Sequence, residues 1–225
     1  MIKPGSYAYH SSDALVRLVS KYMDPDCIVC IEGNRHITQA ILAQKFDAMF
    51  FTGSPSVGKV VAEAAAKQLC PVVLELGGKS PCIITESVAN SFTVHGGSNG
   101  ACIRVAARRV IWGALLNSGQ TCVRPDTYYV HESIADQFIN EMVAAIREFY
   151  GPDAKASPFY GRLVNDSAFQ RLNKCLVDAQ KYMVYGGATD AKERYMEPSI
   201  FDFGKDWDAF AKSELMQDEI FGPVS

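Results

Sequence analysis

The chain has 225 residues, 48% of them hydrophobic and 21% charged, with a formal net charge of -3. That balance suits a soluble globular protein, large enough for one large domain or two small ones. Without a basic run, it excludes the electrostatic footprint of a nucleic-acid or anionic-membrane binder. No apolar stretch reaches the roughly 20 residues that span a bilayer. Met1-Ile2-Lys3-Pro4-Gly5 lacks the shape of a signal peptide, and the cysteines number seven, an odd set. A reducing, cytoplasmic setting is the expectation.

Lys3-Pro4-Gly5-Ser6 reads as the end of a strand whose beginning is missing. From Ser12 to Met23, apolar residues at Ala14, Leu15, Leu18, Val19 and Tyr22 predict a helix, capped by Ser11 or Ser12. Cys27 to Ile31 reads as a buried strand. Cys27 and Cys30 are spaced C-x-x-C, but on a strand they point to opposite faces, and the four histidines are scattered, so no metal site is expected. Thr38 to Phe46 predicts a second helix and Ala48 to Thr52 a second strand. Strands alternating with helices imply an α/β fold with a parallel sheet.

Gly53-Ser54-Pro55-Ser56-Val57-Gly58 follows that strand and opens an alanine-rich helix, Val57 to Leu69. A glycine turn at a helix N-terminus suits phosphate, because free N–H groups and the helix dipole favour an anion. The same residues also describe an ordinary helix capped by Ser54 or Ser56. Next, Glu75 interrupts the apolar strand of Pro71 to Leu76, just before Gly77-Gly78. It is either a desolvated carboxylate of use as a general base or an edge-strand side chain facing water.

Thr85 to Ala101 is rich in Ser, Asn and Gly and predicts a long surface loop, an insertion in the α/β rhythm. A helical stripe from Val105 to Leu116 then leads into residues 117–126, Asn-Ser-Gly-Gln-Thr-Cys-Val-Arg-Pro-Asp. Two readings of Cys122 stand at this point: an inert core thiol, or a nucleophile presented on a polar loop. Thr127 to His131 predicts a strand, and Ser133-Ile134-Ala135-Asp136 a variant capping box. The helix after it buries Ile134, Phe138, Met142, Ala145, Ile146 and Phe149, and stops at Gly151-Pro152. A further helix runs from Asp166 to about Met183, Gly186-Gly187 turns the chain, and Tyr195 to Phe203 is extended with an interruption at Pro198.

Four motifs in order carry a resemblance: Phe51-Thr52-Gly53-Ser54 with Gly58, Leu74-Glu75-Leu76-Gly77-Gly78-Lys79-Ser80-Pro81, Asn117-Ser118-Gly119-Gln120-Thr121-Cys122, and Glu219-Ile220-Phe221-Gly222-Pro223. Together the chain resembles the aldehyde dehydrogenase superfamily over nearly its whole length. Lys79-Ser80-Pro81-Cys82, Glu148-Phe149-Tyr150-Gly151 and Tyr160-Gly161-Arg162 make it most similar to the class 3 and fatty aldehyde dehydrogenase branch. The resemblance implies part of a Rossmann-type cofactor-binding domain, residues 1–76, followed by part of an α/β catalytic domain, residues 77–225. It also implies a homo-oligomeric family whose oligomerisation strand, like the N-terminal region, would lie outside this sequence.

The implied chemistry is oxidation of a small-molecule aldehyde substrate, medium or long aliphatic or aromatic, to a carboxylic acid with NAD or NADP. Cys122 would attack the carbonyl, hydride would pass to the nicotinamide, and Glu75 would activate water to hydrolyse the thioester. Coenzyme-A-acylating relatives lack a Glu there, so Glu75 implies hydrolysis. Lys3 would hold the adenosine ribose, Gly53 and Ser54 would open a helix against the pyrophosphate, and Gly58 would allow close packing. Glu219 would hold the nicotinamide ribose beside Phe221. Two departures accompany these roles. The family's Lys-Pro-Ser-Glu appears as Lys3-Pro4-Gly5-Ser6, which leaves NADP open. The Asn that supplies part of the family's oxyanion hole has no counterpart, and loss of one such donor costs on the order of 10²–10³ in rate in a well-studied hydrolase. The alternative expectation is a truncated remnant with residual cofactor binding or thiol-esterase activity.

Overall fold

The computed structural model describes residues 1–90 and 100–225. The chain divides into two compact units, Met1–Gly77 and Gly78–Ser225.

In the first unit, α1 (Tyr9–Tyr22) begins ahead of the expected start. Neither Ser11 nor Ser12 caps it, because both lie inside the helix; Ser12 Oγ instead donates to Gly5 O at 3.0 Å. The strand expected at Cys27–Ile31 does not form. The backbone N–H groups of Cys27 and Ile28 both close onto Asp24 O, at 3.0 and 2.9 Å, so a local turn takes the donors that a ladder needs. Only Cys30 pairs, in a single bridge with Ile2, and Ile28 and Val29 are exposed.

Helix α2 (Arg35–Leu42) is capped by Asn34, whose side chain accepts from His36 N and Ile37 N. It stops short of the expected Phe46 because its last turn tightens, Gln44 N donating to Ile41 O at 2.9 Å. Strand β1 (Met49–Gly53), helix α3 (Pro55–Lys67) and strand β2 (Val72–Leu76) follow. Ser54 is the N-cap of α3 and Pro55 opens its first turn, where a missing N–H costs nothing. β1 and β2 are parallel, with Thr52 opposite Glu75 and Gly53 opposite Leu76. One sheet face carries Phe51, Leu74 and Leu76 toward α3; the opposite face, with Phe50, Thr52, Val73 and Glu75, is exposed.

The second unit begins with β3 (Pro81–Ile84) and a short helix α4 (Ser87–Asn90). The loop expected at 85–101 is therefore partly helical, Val88 N closing onto Thr85 O at 3.2 Å; residues 91–99 lie outside the described residues. Helix α5 (Gly100–Leu115) starts before the expected Val105, since Ile103 extends the buried stripe of Ala107, Val110, Ile111 and Ala114. β4 (Thr127–Val130) pairs parallel to β3, Pro81 opposite Thr127.

Helix α6 (Ala135–Tyr150) packs on α5 through Phe138, Met142, Ala145 and Ile146, all buried with Ile84 and Ile134. The Phe, Met and Ile side chains among these each contribute about 1.5–3 kcal/mol on leaving water. The expected capping box is absent: a 3-10 turn over Glu132–Ile134 leads in, and the Ser133 hydroxyl pairs with His131 Nδ1 at 2.8 Å instead of closing on α6. Gly151, with φ at +81°, ends the helix.

Helix α7 (Asp166–Asp178) is capped by Asn165, whose side chain accepts from Ala168 N at 2.8 Å. It ends before Met183 because a 3-10 turn, Gln180–Tyr182, takes over. β5 (Met183–Tyr185), β6 (Thr189–Asp190), β7 (Tyr195–Met196) and β8 (Ile200–Phe201) form two short antiparallel pairs, β5 with β8 and β6 with β7. Helices α8 (Trp207–Lys212) and α9 (Glu214–Gln217) follow. A second core joins Leu172 and Leu176 to Leu215, Ile220 and Val224, which seats the final segment firmly against α7.

Candidate active site

The first unit holds Lys3, Gly53, Ser54, Gly58 and Glu75 among the residues singled out from the sequence. Lys3 Nζ donates to Pro4 O at 2.6 Å and to Gly33 O at 3.3 Å, and Ser6 Oγ donates to Gly33 O at 3.0 Å. These bonds fasten the Lys3–Ser6 element to the turn before α2. Beside it opens a cavity of about 920 Å³, lined by Pro4, Gly5 and Ser6, by Glu32, Gly33, Asn34 and Arg35, and by Ser56, Val57 and Val60 of α3. Its size and its mixture of a polar rim with aliphatic walls fit a nucleotide. Gly53 and Ser54 stand just ahead of the α3 residues that line it. Gly58 lies deeper, where an added Cβ would come within 2.8 Å of Leu76 Cδ2. Glu75 faces away from α3 on the exposed side of the sheet.

The second unit holds Cys122, Glu219 and Phe221, and brings them onto two adjoining turns. Cys122 is exposed, which sets aside the reading of an inert core thiol. Its loop leaves α5 through three consecutive left-handed residues, Asn117, Ser118 and Gly119, with φ of 54°, 54° and 74°. Non-glycine residues reach that region at a cost of about 1–3 kcal/mol each, so the surroundings must hold them there. They do so mainly through Gln120. Its Nε2 donates to Asn117 O at 3.1 Å and Arg162 O at 3.0 Å, and its Oε1 accepts from Val164 N at 2.8 Å. Asn117 Nδ2 returns a bond to Gln120 O at 3.0 Å.

The facing turn, residues 219–222, is also strained, Phe221 having φ of 48°. Gly119 packs directly on it: a Cβ at Gly119 would overlap the carbonyl of Gly222. Glu219 is half-buried, with Oε1 shielded from solvent and without a partner. Burial pushes its carboxyl above the usual range, Asp126 adds to this, and the Gly78 N–H opposes it.

Three charged residues behind these turns carried no role in the sequence reading. Arg124 reaches Gly222 O and Val224 O, at 2.6 and 2.8 Å, and Asp126 accepts from Ile220 N at 3.3 Å while pairing with Lys79. No periodic signal marks them, because Arg124 lies in the turn closed by its N–H onto Thr121 O, ahead of β4. The cavity residues Glu32 to Arg35 were likewise missed, although the turn signal of Gly33-Asn34 marks them. Among the described residues no cluster of His, Cys, Asp and Glu could hold a metal, and no helix is long and apolar enough to cross a membrane.

A parallel α/β unit with a nucleotide-sized cavity, joined to a unit presenting one thiol on a rigid loop, defines the class. Comparison with known proteins makes it specific. The aldehyde dehydrogenase family pattern matches residues 1–225, and the chain belongs to that family. It is 41% identical over 224 residues to "Aldehyde dehydrogenase, dimeric NADP-preferring" of Rattus norvegicus, covering 100% of this chain and 45% of the relative. It is 40% identical over 226 residues to "Aldehyde dehydrogenase family 3 comG" of Dictyostelium discoideum, covering 44% of that protein, which agrees with the class 3 resemblance. A solved structure of Staphylococcus aureus AldH in a substrate-bound state superposes with a TM-score of 0.84 at 41% identity, covering 99% of this chain and 45% of that one. The chain thus spans about half the length of the curated relatives it matches.

Proposed function

We propose that the chain carries the cofactor-binding and nucleophile-bearing part of an NAD(P)-dependent aldehyde dehydrogenase, converting an aldehyde to a carboxylic acid. Residues 1–77 serve the nucleotide and residues 78–225 the thiol chemistry. The observation that carries this reading is the exposed Cys122 thiol on a left-handed loop braced against the 219–222 turn.

The nucleotide would rest with its adenosine end in the cavity beside Lys3 and its phosphates toward the start of α3, at Gly53 and Ser54. Glu219 Oε1, buried without a partner, fits a ribose hydroxyl as donor, beside Phe221. When bound, the nicotinamide supplies a hydride acceptor. Ser6 stands where an acidic side chain would repel a 2′-phosphate, and Arg35 lines the same cavity, while Glu32 suits a free 2′-hydroxyl; NAD and NADP both fit.

The chain's own part begins with the Cys122 thiolate, which adds to the aldehyde carbon and forms a C–S bond, the carbonyl π electrons passing to oxygen. That addition gives a thiohemiacetal, which becomes a thioester only once its C–H hydrogen has left as hydride to the bound acceptor. The thioester is then cleaved by water from which Glu75 withdraws a proton, releasing the carboxylate and restoring the thiol. An exposed Glu75 can hold such a water without first losing another partner.

The test is aldehyde-dependent reduction of NAD or NADP, followed by absorbance, in the parent chain and in Cys122→Ser. Turnover that disappears in the variant supports the proposal. A folded parent without turnover on short, long or aromatic aldehydes refutes it for this chain.

A further inference from the structure

Lys79, Arg124 and Asp126 take no part in the chemistry above, yet they are the most enclosed charges around it. The side chains of Arg124 and Asp126 are each 1% exposed and that of Lys79 24%. Burying three charges is a poor route to stability, since apolar residues of similar volume do as well or better. Their geometry offers another reason. Arg124 Nε donates to Pro125 O at 3.1 Å within its own loop, Nη1 to Gly222 O at 2.6 Å, and Nη2 to Val224 O and Ser225 Oγ, both at 2.8 Å. Asp126 accepts from Ile220 N, and Lys79, paired with Asp126, donates to Leu215 O at 2.5 Å. The bonded positions 215, 220, 222 and 224 bracket Glu219 and Phe221 on both sides. The two charges on the loop follow Cys122 by two and four residues.

We propose that Lys79, Arg124 and Asp126 are positioning residues, a buried charge clamp that fixes the register between the Cys122 loop and the 219–222 turn. This rests on reading Cys122 as the nucleophile. The residue types follow from the task. Arg124 meets the carbonyls at 222 and 224 with two different nitrogens of one planar guanidinium, Nη1 and Nη2, a spread that the single nitrogen of an ammonium lacks. Asp126 then neutralises one of the two cations and accepts the intervening backbone N–H of Ile220. A one-residue slip of the turn would break all of these bonds together. Gly119, in contact with the same Gly222 carbonyl, supplies the second point of the register.

The variants are Arg124→Lys and Asp126→Asn in the 225-residue chain. A clamp predicts that kcat/KM for aldehyde oxidation falls by about tenfold or more, as for a small misplacement of reacting groups. Alkylation of Cys122 by iodoacetamide, located by peptide mass, should stay within about twofold. A fall in both by the same factor, or in neither, overturns it. Hydrogen exchange gives a reading that needs no turnover. Peptides covering 117–126 and 215–225 should speed up together in Arg124→Lys while the α6 peptide keeps its rate; acceleration of one segment alone overturns the clamp. Ser225→Ala removes a single acceptor and serves if the charged variants do not fold, with about threefold faster exchange in both segments expected and no change overturning the proposal. A parent chain that oxidises no aldehyde but shows the coupled exchange refutes the nucleophile reading and leaves the clamp standing.

Discussion

Replacing Gly119 by alanine tests the bracing of the nucleophile loop. Gly119 has φ of +74°, and a Cβ there would overlap the Gly222 carbonyl and lie 3.0 Å from Ala114 O. Forcing an L-residue into the left-handed region costs about 1–2 kcal/mol. Relieving the overlap moves backbone in a packed region, worth a further 1–3 kcal/mol or so. The sum, roughly 2–5 kcal/mol, is a large share of an ordinary domain's 5–15 kcal/mol or so. Gly204 is the control, with φ of +54° and no atom within 4 Å of its hypothetical Cβ, so Gly204→Ala costs the conformational part alone. Both tryptophans, Trp112 and Trp207, lie in the second unit, and their fluorescence follows its unfolding in urea. At a slope of about 2 kcal/mol per molar, the midpoint should fall by roughly 1–2.5 M for Gly119→Ala and by about 0.5–1 M for Gly204→Ala. Equal shifts would show that Gly119 does not bear on the 219–222 turn, and the account of how the loop is held would be wrong.

Glu219→Gln should raise stability at neutral pH. Its folded carboxyl is held above the ordinary value by burial, so the native state binds that proton more tightly than the unfolded chain. The stabilising term is complete below the unfolded value and is lost as pH rises through the folded one; the variant's advantage at pH 7 should therefore vanish on acidification below the usual carboxylate range, as read by thermal unfolding. A constant difference across pH would contradict the assignment. Tyr160→Phe removes a buried hydrogen bond from the Tyr160 hydroxyl to Met196 O at 2.9 Å and leaves that carbonyl unpaired, at a cost of about 1–3 kcal/mol in urea unfolding. An unchanged midpoint would mean that the Tyr150, Tyr160 and Tyr195 cluster is held by packing alone. Lys3→Ala should weaken binding of NAD and NADP in calorimetry by about tenfold while leaving the Cys122 alkylation rate as it was, the loss expected for one charge-assisted contact; equal affinity would displace the adenosine end from the cavity beside Lys3.

Where the sequence reading succeeded, the signal was local. Ser54, one of the two caps weighed for α3, is its N-cap, although the helix starts at Pro55 ahead of the expected Val57, and the apolar stripe from Ile134 to Ile146 placed the buried face of α6. It failed where a nearby competitor took a backbone donor or a hydroxyl. Cys27–Ile31 has the composition of a strand, but Asp24 captures its first N–H groups; Ser133 has the spacing of a cap, but His131 takes its hydroxyl. Helix ends ran long at Phe46 and Met183 because tightened last turns leave no mark in the apolar period. In the proposed site, Cys122, Gly53 and Glu219 are singled out by short motifs alone, whereas the bond from Arg124 to Gly222 joins residues 98 apart, and no spacing rule reaches that far. Glu75 was evenly balanced between two environments, and the register with Thr52 placed it on the exposed sheet face.

The central claim is that Cys122 carries the acyl group and Glu75 releases it. Glu75→Gln, mixed with NAD or NADP and an aldehyde and quenched for intact-mass analysis, tests both at once. The account predicts a protein heavier by one acyl group, with the added mass on the peptide containing Cys122 and no adduct in Glu75→Gln combined with Cys122→Ser. Undiminished steady-state turnover by Glu75→Gln, or an acyl group on any other cysteine, would contradict it.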